Sequence, residues 1–416
     1  MAAPEVFTIA QVPLTAHAFN ADRSKLITSL NTNEAQIYGR QGNEWKPEVT
    51  LSEHDKLITS IDWAPNSNRI VTASQDRNAY VWSQTTGADG NSVWKPTLVL
   101  LRINRAATYV RWSPKEDKFA VASGARAIAV CSFDADNDWW VSRLLKKPIR
   151  STVLSVDWHP NNVLLAAGTA DMKARVFSAY IKDVDSRPSP SVWGEKLPFN
   201  TICGEYASPA GGWVHSVAFS PSGDVLAFAS HDSTISIVYP GGPAVITVRN
   251  STLPYVSLTW TSEDALVAAG HDCQPVLFSG SAEGWKAIGS LDDAKSGAPL
   301  TPVSTGSSSG GRFASAGVGR LGTNEAFARF RNADTLGKSS ATPGSPVSGG
   351  DSSGDTELMT VHQNTITSVR PYEISANGNV AKVSTSGVDG KLVIWNVSVP
   401  AGTGGLSSRL GGMHLR

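Results

Sequence analysis

The stretch from His54 to Trp82 reads HDKLITSIDWAPNSNRIVTASQDRNAYVW. It contains an apolar strand closed by an aromatic, a Pro-containing turn, a second apolar strand, an Asp turn and a third strand. Working outward, the aromatic that closes the first strand recurs as Phe19, Trp63, Trp112, Trp158, Phe219 and Trp260. Most of these intervals fall between 41 and 49 residues, and the one after Trp158 is 61. A seventh copy, HQNTITSVRPYEISANGNVAKVSTSGVDGKLVIW, follows a long insertion and ends at Trp395. A period of about 40 to 45 residues with four strands per unit predicts a β-propeller. Seven copies predict an all-β ring of seven blades.

The Asp positions check the register. Asp76, Asp171, Asp272 and Asp389 each precede Trp82, Phe177, Phe278 and Trp395 by six residues, and Asp232 keeps that distance to Val238. An Asp in a tight turn binds backbone groups two residues on, and an even offset along the next strand returns to one face. In the second and seventh copies a Thr stands four residues before the Asp (Thr72, Thr385), with a His upstream (His54, His362). The set His54, Thr72, Asp76, Trp82 and its counterpart His362, Thr385, Asp389, Trp395 resemble the hydrogen-bonded relay of WD repeats. Buried polar groups need partners, so these residues read as structural. The first and third copies are degenerate, with Asn33-Glu34 and Ala125-Arg126 at the turn.

Composition fits an interaction protein. The chain has 416 residues, with 36 Lys and Arg balancing 36 Asp and Glu, which argues against nucleic-acid binding driven by overall charge. The first residues, MAAPEVFTIAQVP, lack the basic start and long apolar core of a signal peptide. No stretch approaches the length of a membrane helix. Cys131, Cys203 and Cys273 fall on different copies without CxxC spacing, so buried free thiols are expected rather than a metal site or disulfide framework. No nucleophile elbow, HExxH helix or phosphate-binding glycine loop occurs. His54, His159, His215, His231, His271 and His362 recur at repeat positions. Neither enzymatic activity nor a cofactor is expected.

The strand-like segment Val6–Val12 is expected to close the ring beside the blade that ends at Trp395, since an unpaired edge is a liability. The expected organisation is residues 1–294 as six blades plus this strand, 295–358 as an insertion, 359–397 as the seventh blade and 398–416 as a flexible tail. Three departures from the repeat carry the functional signal. The run Arg143-Leu-Leu-Lys-Lys-Pro-Ile-Arg150 brings Arg143, Lys146, Lys147 and Arg150 together between blades three and four. It is either a solvated loop or a docking point for an acidic segment. The extra length YIKDVDSRPSPSVWGEKLPFNTICGEY after blade four carries Trp193, Phe199 and Tyr206, packed as a cap or exposed to a partner. The insertion is rich in Gly, Ser, Ala, Thr and Pro, which cannot bury a core. Within it, TNEAFARFRNADTLG predicts a short amphipathic helix near 324–336, capped by Thr323 or Asn324 and stopped by Gly337. Phe327 and Phe330 share its face, with Leu336 following less cleanly and Arg329 and Arg331 alongside. Such a helix folds onto its own ring or reaches a groove on another protein.

The match then becomes specific. Lys146 to Phe199, together with Asn137-Asp-Trp-Trp-Val141, closely resembles the WD-repeat subunit of the actin-related protein 2/3 complex. Arg329-Phe-Arg-Asn-Ala-Asp334 is similar to that family's Arg-Phe-Gln-Asn-Leu-Asp core. The resemblance runs from Pro4 to Val397. It implies a non-catalytic subunit of a seven-protein cytoplasmic assembly of the actin cytoskeleton, at cortical actin patches, that nucleates branched filaments. Its implied partners are two actin-related proteins, the other subunits, the mother filament and the acidic tails of WASP-type activators, with no nucleic acid and no membrane insertion. The resemblance places filament contact on Phe327, Arg329, Phe330, Arg331 and Leu336. The alternative is a WD scaffold of another assembly, a ubiquitin-ligase substrate receptor or chromatin reader.

Overall fold

The computed structural model describes residues 3–86, 91–195, 197–242, 244–292 and 358–397. It is a seven-bladed β-propeller of seven four-stranded antiparallel sheets. Blades one to six are consecutive meanders over 16–51, 58–100, 107–145, 153–207, 214–249 and 255–290. Blade seven takes three strands from 366–396 and its fourth from the start of the chain.

The closing strand is Glu5–Thr8, antiparallel to Lys391–Asn396, with Val6 opposite Val393 and Phe7 opposite Leu392. It is shorter than the expected Val6–Val12. The Ile9 and Ala10 N–H groups both turn onto the Gly390 carbonyl, at 3.0 and 3.3 Å, and from there the chain leaves the sheet for blade one. Phe7 packs edge-on to Trp45, and the Arg40 guanidinium stands 5.8 Å from its ring. The seam between the two ends of the chain is therefore covalently open but packed on both sides.

Each blade interface among the described residues has its own apolar cluster, seven in all. The closing aromatics Phe19, Trp63, Trp112, Trp158, Phe219 and Trp260 are all buried in these clusters. Four meet a Trp from the outer strand of their own blade: Phe19 with Trp45, Trp63 with Trp94, Trp112 with Trp140 and Trp260 with Trp285. The outer strand of blade five, Ala244–Arg249, contains no Trp. From the extra length, which lies between the third and fourth strands of blade four rather than after the blade, Trp193 takes that place. It lies edge-on to Phe219 at 5.6 Å and donates its indole N–H to the Gly223 carbonyl at 2.8 Å.

That contact decides between the two readings of the extension. Trp193 is buried, Phe199 packs against the blade three–four cluster, and Tyr206 lies in the outer strand Ile202–Ala207. The segment is a packed cap. Asp185 pins its beginning through an ion pair with the buried Lys118 of blade three. A second interblade device repeats at the turns after the inner strands. Glu116 accepts the Asn66 and Ser67 N–H groups of blade two, and Asn162 accepts the Lys115 N–H of blade three.

Candidate functional site

Two side-chain relays fix the second and seventh blades. His54 Nδ1 lies 2.7 Å from Asp76 Oδ2, its Nε2 lies 2.8 Å from Thr72 Oγ1, and Trp82 Nε1 donates to that hydroxyl at 3.0 Å. Burial lowers the His54 pKa, so the ring is neutral at pH 7. The chain of donors then has one direction: Trp82 to Thr72, Thr72 to His54 Nε2, His54 Nδ1–H to Asp76. Asp76 ends it by accepting the Asn78 N–H at 2.9 Å. Blade seven repeats the pattern, with His362 to Asp389 at 3.0 Å, to Thr385 at 2.8 Å, and Trp395 to Thr385 at 2.8 Å. All eight side chains are engaged with one another inside their blades.

Blade four holds a variant that the repeat pattern did not reveal. Arg175 takes the place of the His, donating to Asp171 through Nη1 and Nη2, each at 2.9 Å, to Thr169 at 2.9 Å and to Glu205 at 2.7 Å. The available signal was an Arg four residues after the turn Asp, inside an otherwise apolar strand.

The cationic run is not wholly a loop. Arg143 lies in the outer strand Trp139–Leu145, opposite Val130, and strand alternation turns it outward while its neighbour Ser142 is buried. Lys146 and Lys147 follow the strand and are exposed. Ile149 is buried in the blade three–four cluster and anchors the turn. Arg150 is exposed, its backbone N–H directed to Asp171 at 3.4 Å. No ion pair joins any of the four cations to a carboxylate among the described residues.

The fold adds three cations at the same end of blades three and four. Arg102 and Arg105 lie on the connection into blade three, and Arg126 lies on its Ala125-Arg126 turn; all three are exposed and without an ion pair among the described residues. Arg105 and Thr152 both stand against Gly124, 3.4 and 3.9 Å from where its side chain would be, which draws the two connections together. Beyond them are two exposed apolar side chains, Met172 at 43% and Trp213 at 52%. Met172 Sδ stands against Gly211, two residues before Trp213. The surface therefore combines unpaired positive charge with a hydrophobic margin, which suits an acidic segment that carries apolar residues. Phe327, Arg329, Phe330, Arg331 and Leu336 lie outside the described residues.

The comparisons extend over the whole propeller. The family model for the WD domain, G-beta repeat, matches residues 45–83, 143–178, 202–238 and 356–396. The chain is 50% identical over 402 residues to actin-related protein 2/3 complex subunit 1 of Schizosaccharomyces pombe, covering 95% of this chain and 100% of that one. This chain belongs to that family. It is also 47% identical over 386 residues to subunit 1A-B of Xenopus laevis, covering 92% and 94% of the two chains. Identity to subunit 1 of Saccharomyces cerevisiae is 40% over 400 residues, covering 94% and 97%.

Proposed function

We propose that this chain is a non-catalytic structural subunit of an actin-related protein 2/3 complex in the cytoplasmic actin cytoskeleton, at cortical actin patches. There it supports nucleation of branched filaments, with the propeller holding the actin-related subunits in place. The observation that supports this best is near-complete alignment to subunit 1 of that complex. The exposed surface formed by Arg143, Lys146, Lys147 and Arg150 receives the acidic tails of WASP-type activators, and Arg102, Arg105 and Arg126 extend it. The insertion contributes a helix near 324–336 whose Phe327, Phe330 and Leu336 meet the mother filament, flanked by Arg329 and Arg331.

Single exposed charge pairs are worth about 0 to 1 kcal/mol and weaken with salt. Reversing Arg143, Lys146, Lys147 and Arg150 to Glu is therefore expected to weaken binding of an acidic activator peptide clearly at low salt and less at high salt. Fluorescence anisotropy of a labelled peptide reads both. Equal affinity of variant and wild type at low salt returns the run to a solvated surface.

A further inference from the structure

The residues one position before the closing aromatics meet at the propeller axis. Four are charged: Asp62, Arg111 and Asp157 in blades two to four, and Arg370 in blade seven, where Pro371 replaces the aromatic. Asp62 is saturated. It accepts the Trp112 N–H at 2.8 Å, Arg370 Nη1 at 2.6 Å and, more distantly, Arg111 Nη1 at 3.4 Å. Arg370 Nη2 is taken by the Ile61 carbonyl at 2.6 Å, but its Nε is buried without a partner among the described residues. Among the same residues Arg111 keeps only that one long hydrogen bond, and it stacks 5.0 Å from the Tyr109 ring. Asp157 accepts the Phe219 N–H at 2.9 Å and makes no ion pair with Arg111 among the described residues.

These under-used donors border a cavity of about 310 Å³, lined by Tyr109, Arg111, Asp157, Thr259 and Arg370 with Leu258 as an apolar wall. That volume is within the range of small-ligand sites. A buried guanidinium nitrogen without a partner in such a space calls for a physical explanation, and a bound ion is one. We propose that the axial cavity is a binding site for a small oxyanion, held between the Arg111 guanidinium and the free Nε of Arg370. Guanidinium donors match the oxygens of carboxylate and of tetrahedral anions equally well in kind.

Asp157 sets the conditions. Burial pushes its carboxyl up to about 6, against the opposing pull of the Phe219 N–H and Arg111; Asp62 pushes the same way as burial, and Arg370 lines the same space. When Asp157 is ionised, the two Arg and two Asp cancel. When it is protonated, the cluster carries one net positive charge and gains an O–H donor. Anion binding and protonation of Asp157 therefore assist each other, and affinity falls as pH rises through 6, by roughly tenfold per pH unit above it if only the protonated form binds.

Calorimetric titration of the full chain with sodium sulfate at constant ionic strength tests this, because sulfate keeps its charge across the range. Saturable binding at pH 5.5, weakening about tenfold between pH 6.5 and 7.5, is expected. Asp157→Asn keeps an oxygen for the Phe219 N–H but cannot ionise, so it should bind sulfate with equal affinity at pH 5.5 and 7.5. Arg111→Gln should lose binding at both. An acetate titration separates the sources: acetate binding assigns the cavity to carboxylates, and inert acetate beside bound sulfate assigns it to tetrahedral anions. Absence of saturable binding by either anion to the wild type at pH 5.5 overturns the proposal, as does sulfate binding that survives Arg111→Gln unchanged.

Discussion

Replacing Thr72 with Val removes one oxygen and keeps the shape of the side chain, so it isolates what the blade-two relay contributes. Thr72 Oγ1 is the junction between His54 Nε2 at 2.8 Å and Trp82 Nε1 at 3.0 Å, and Thr72 is fully buried. Valine leaves both nitrogens without a partner. Each stranded buried group costs about 1 to 3 kcal/mol, so the pair should cost about 2 to 6 kcal/mol. Domain stabilities are about 5 to 15 kcal/mol, which makes this a large fraction of the whole. Urea unfolding of the full chain, followed by tryptophan fluorescence, should show a marked fall in the midpoint. Thr85→Val is the control, because that hydroxyl is exposed and makes only a 3.4 Å contact with Val93; its effect should stay within about 0.5 kcal/mol. Thr385→Val should reproduce the Thr72 result in blade seven, where the corresponding distances are 2.8 and 2.8 Å. A Thr72 variant no less stable than the Thr85 variant would refute the reasoning that the relay is structural.

Deleting residues 1–8 should remove the fourth strand of blade seven and with it the Phe7–Trp45 contact. Phe7 is half-buried, so its packing contributes less than the about 1.5 to 3 kcal/mol of a fully buried Phe; with the lost strand pairing a clear fall in thermal midpoint is expected, and an unchanged one would show that the seam closes without the strand. Phe327→Asp combined with Phe330→Asp is expected to leave propeller melting and complex assembly intact while lowering branch density in actin polymerisation viewed by microscopy. Loss of folding in that double variant would mean the helix packs on its own ring, and unchanged branching would deny its Phe face a partner.

The repeat was legible because most blades carry the same two markers, an aromatic at the end of the inner strand and an Asp in the turn before the third; blades one and three lack the Asp and blade seven has Pro371 in place of the aromatic. Each does a local job, filling one blade interface or binding backbone two residues away, so spacing alone locates it. The closing strand was legible as a strand but not in extent. Its end is set by the Gly390 carbonyl collecting two N–H groups from a distant part of the chain. The aromatics of the blade-four extension fit a cap and a docking loop equally well until Trp193 is seen to replace the tryptophan that blade five lacks.

Charge divides in the same way. Arg143, Lys146, Lys147 and Arg150 stand out because they fall within eight consecutive residues. Arg102, Arg105 and Arg126 do not, because only the stacking of neighbouring blades brings them beside that run. The axial cluster is the extreme case. Asp62 and Arg370 are 308 residues apart in the chain yet lie 2.6 Å from each other, and nothing in the local sequence of either strand pairs them.

The central claim is membership of a complex built around actin-related proteins. The most direct measurement is affinity purification of the tagged full chain from native lysate at physiological salt, with mass spectrometry of what co-purifies. Two actin-related proteins and a small set of further subunits in near-equal amounts are predicted. Recovery of ubiquitin-ligase or chromatin components instead, with no actin-related protein, would contradict the account.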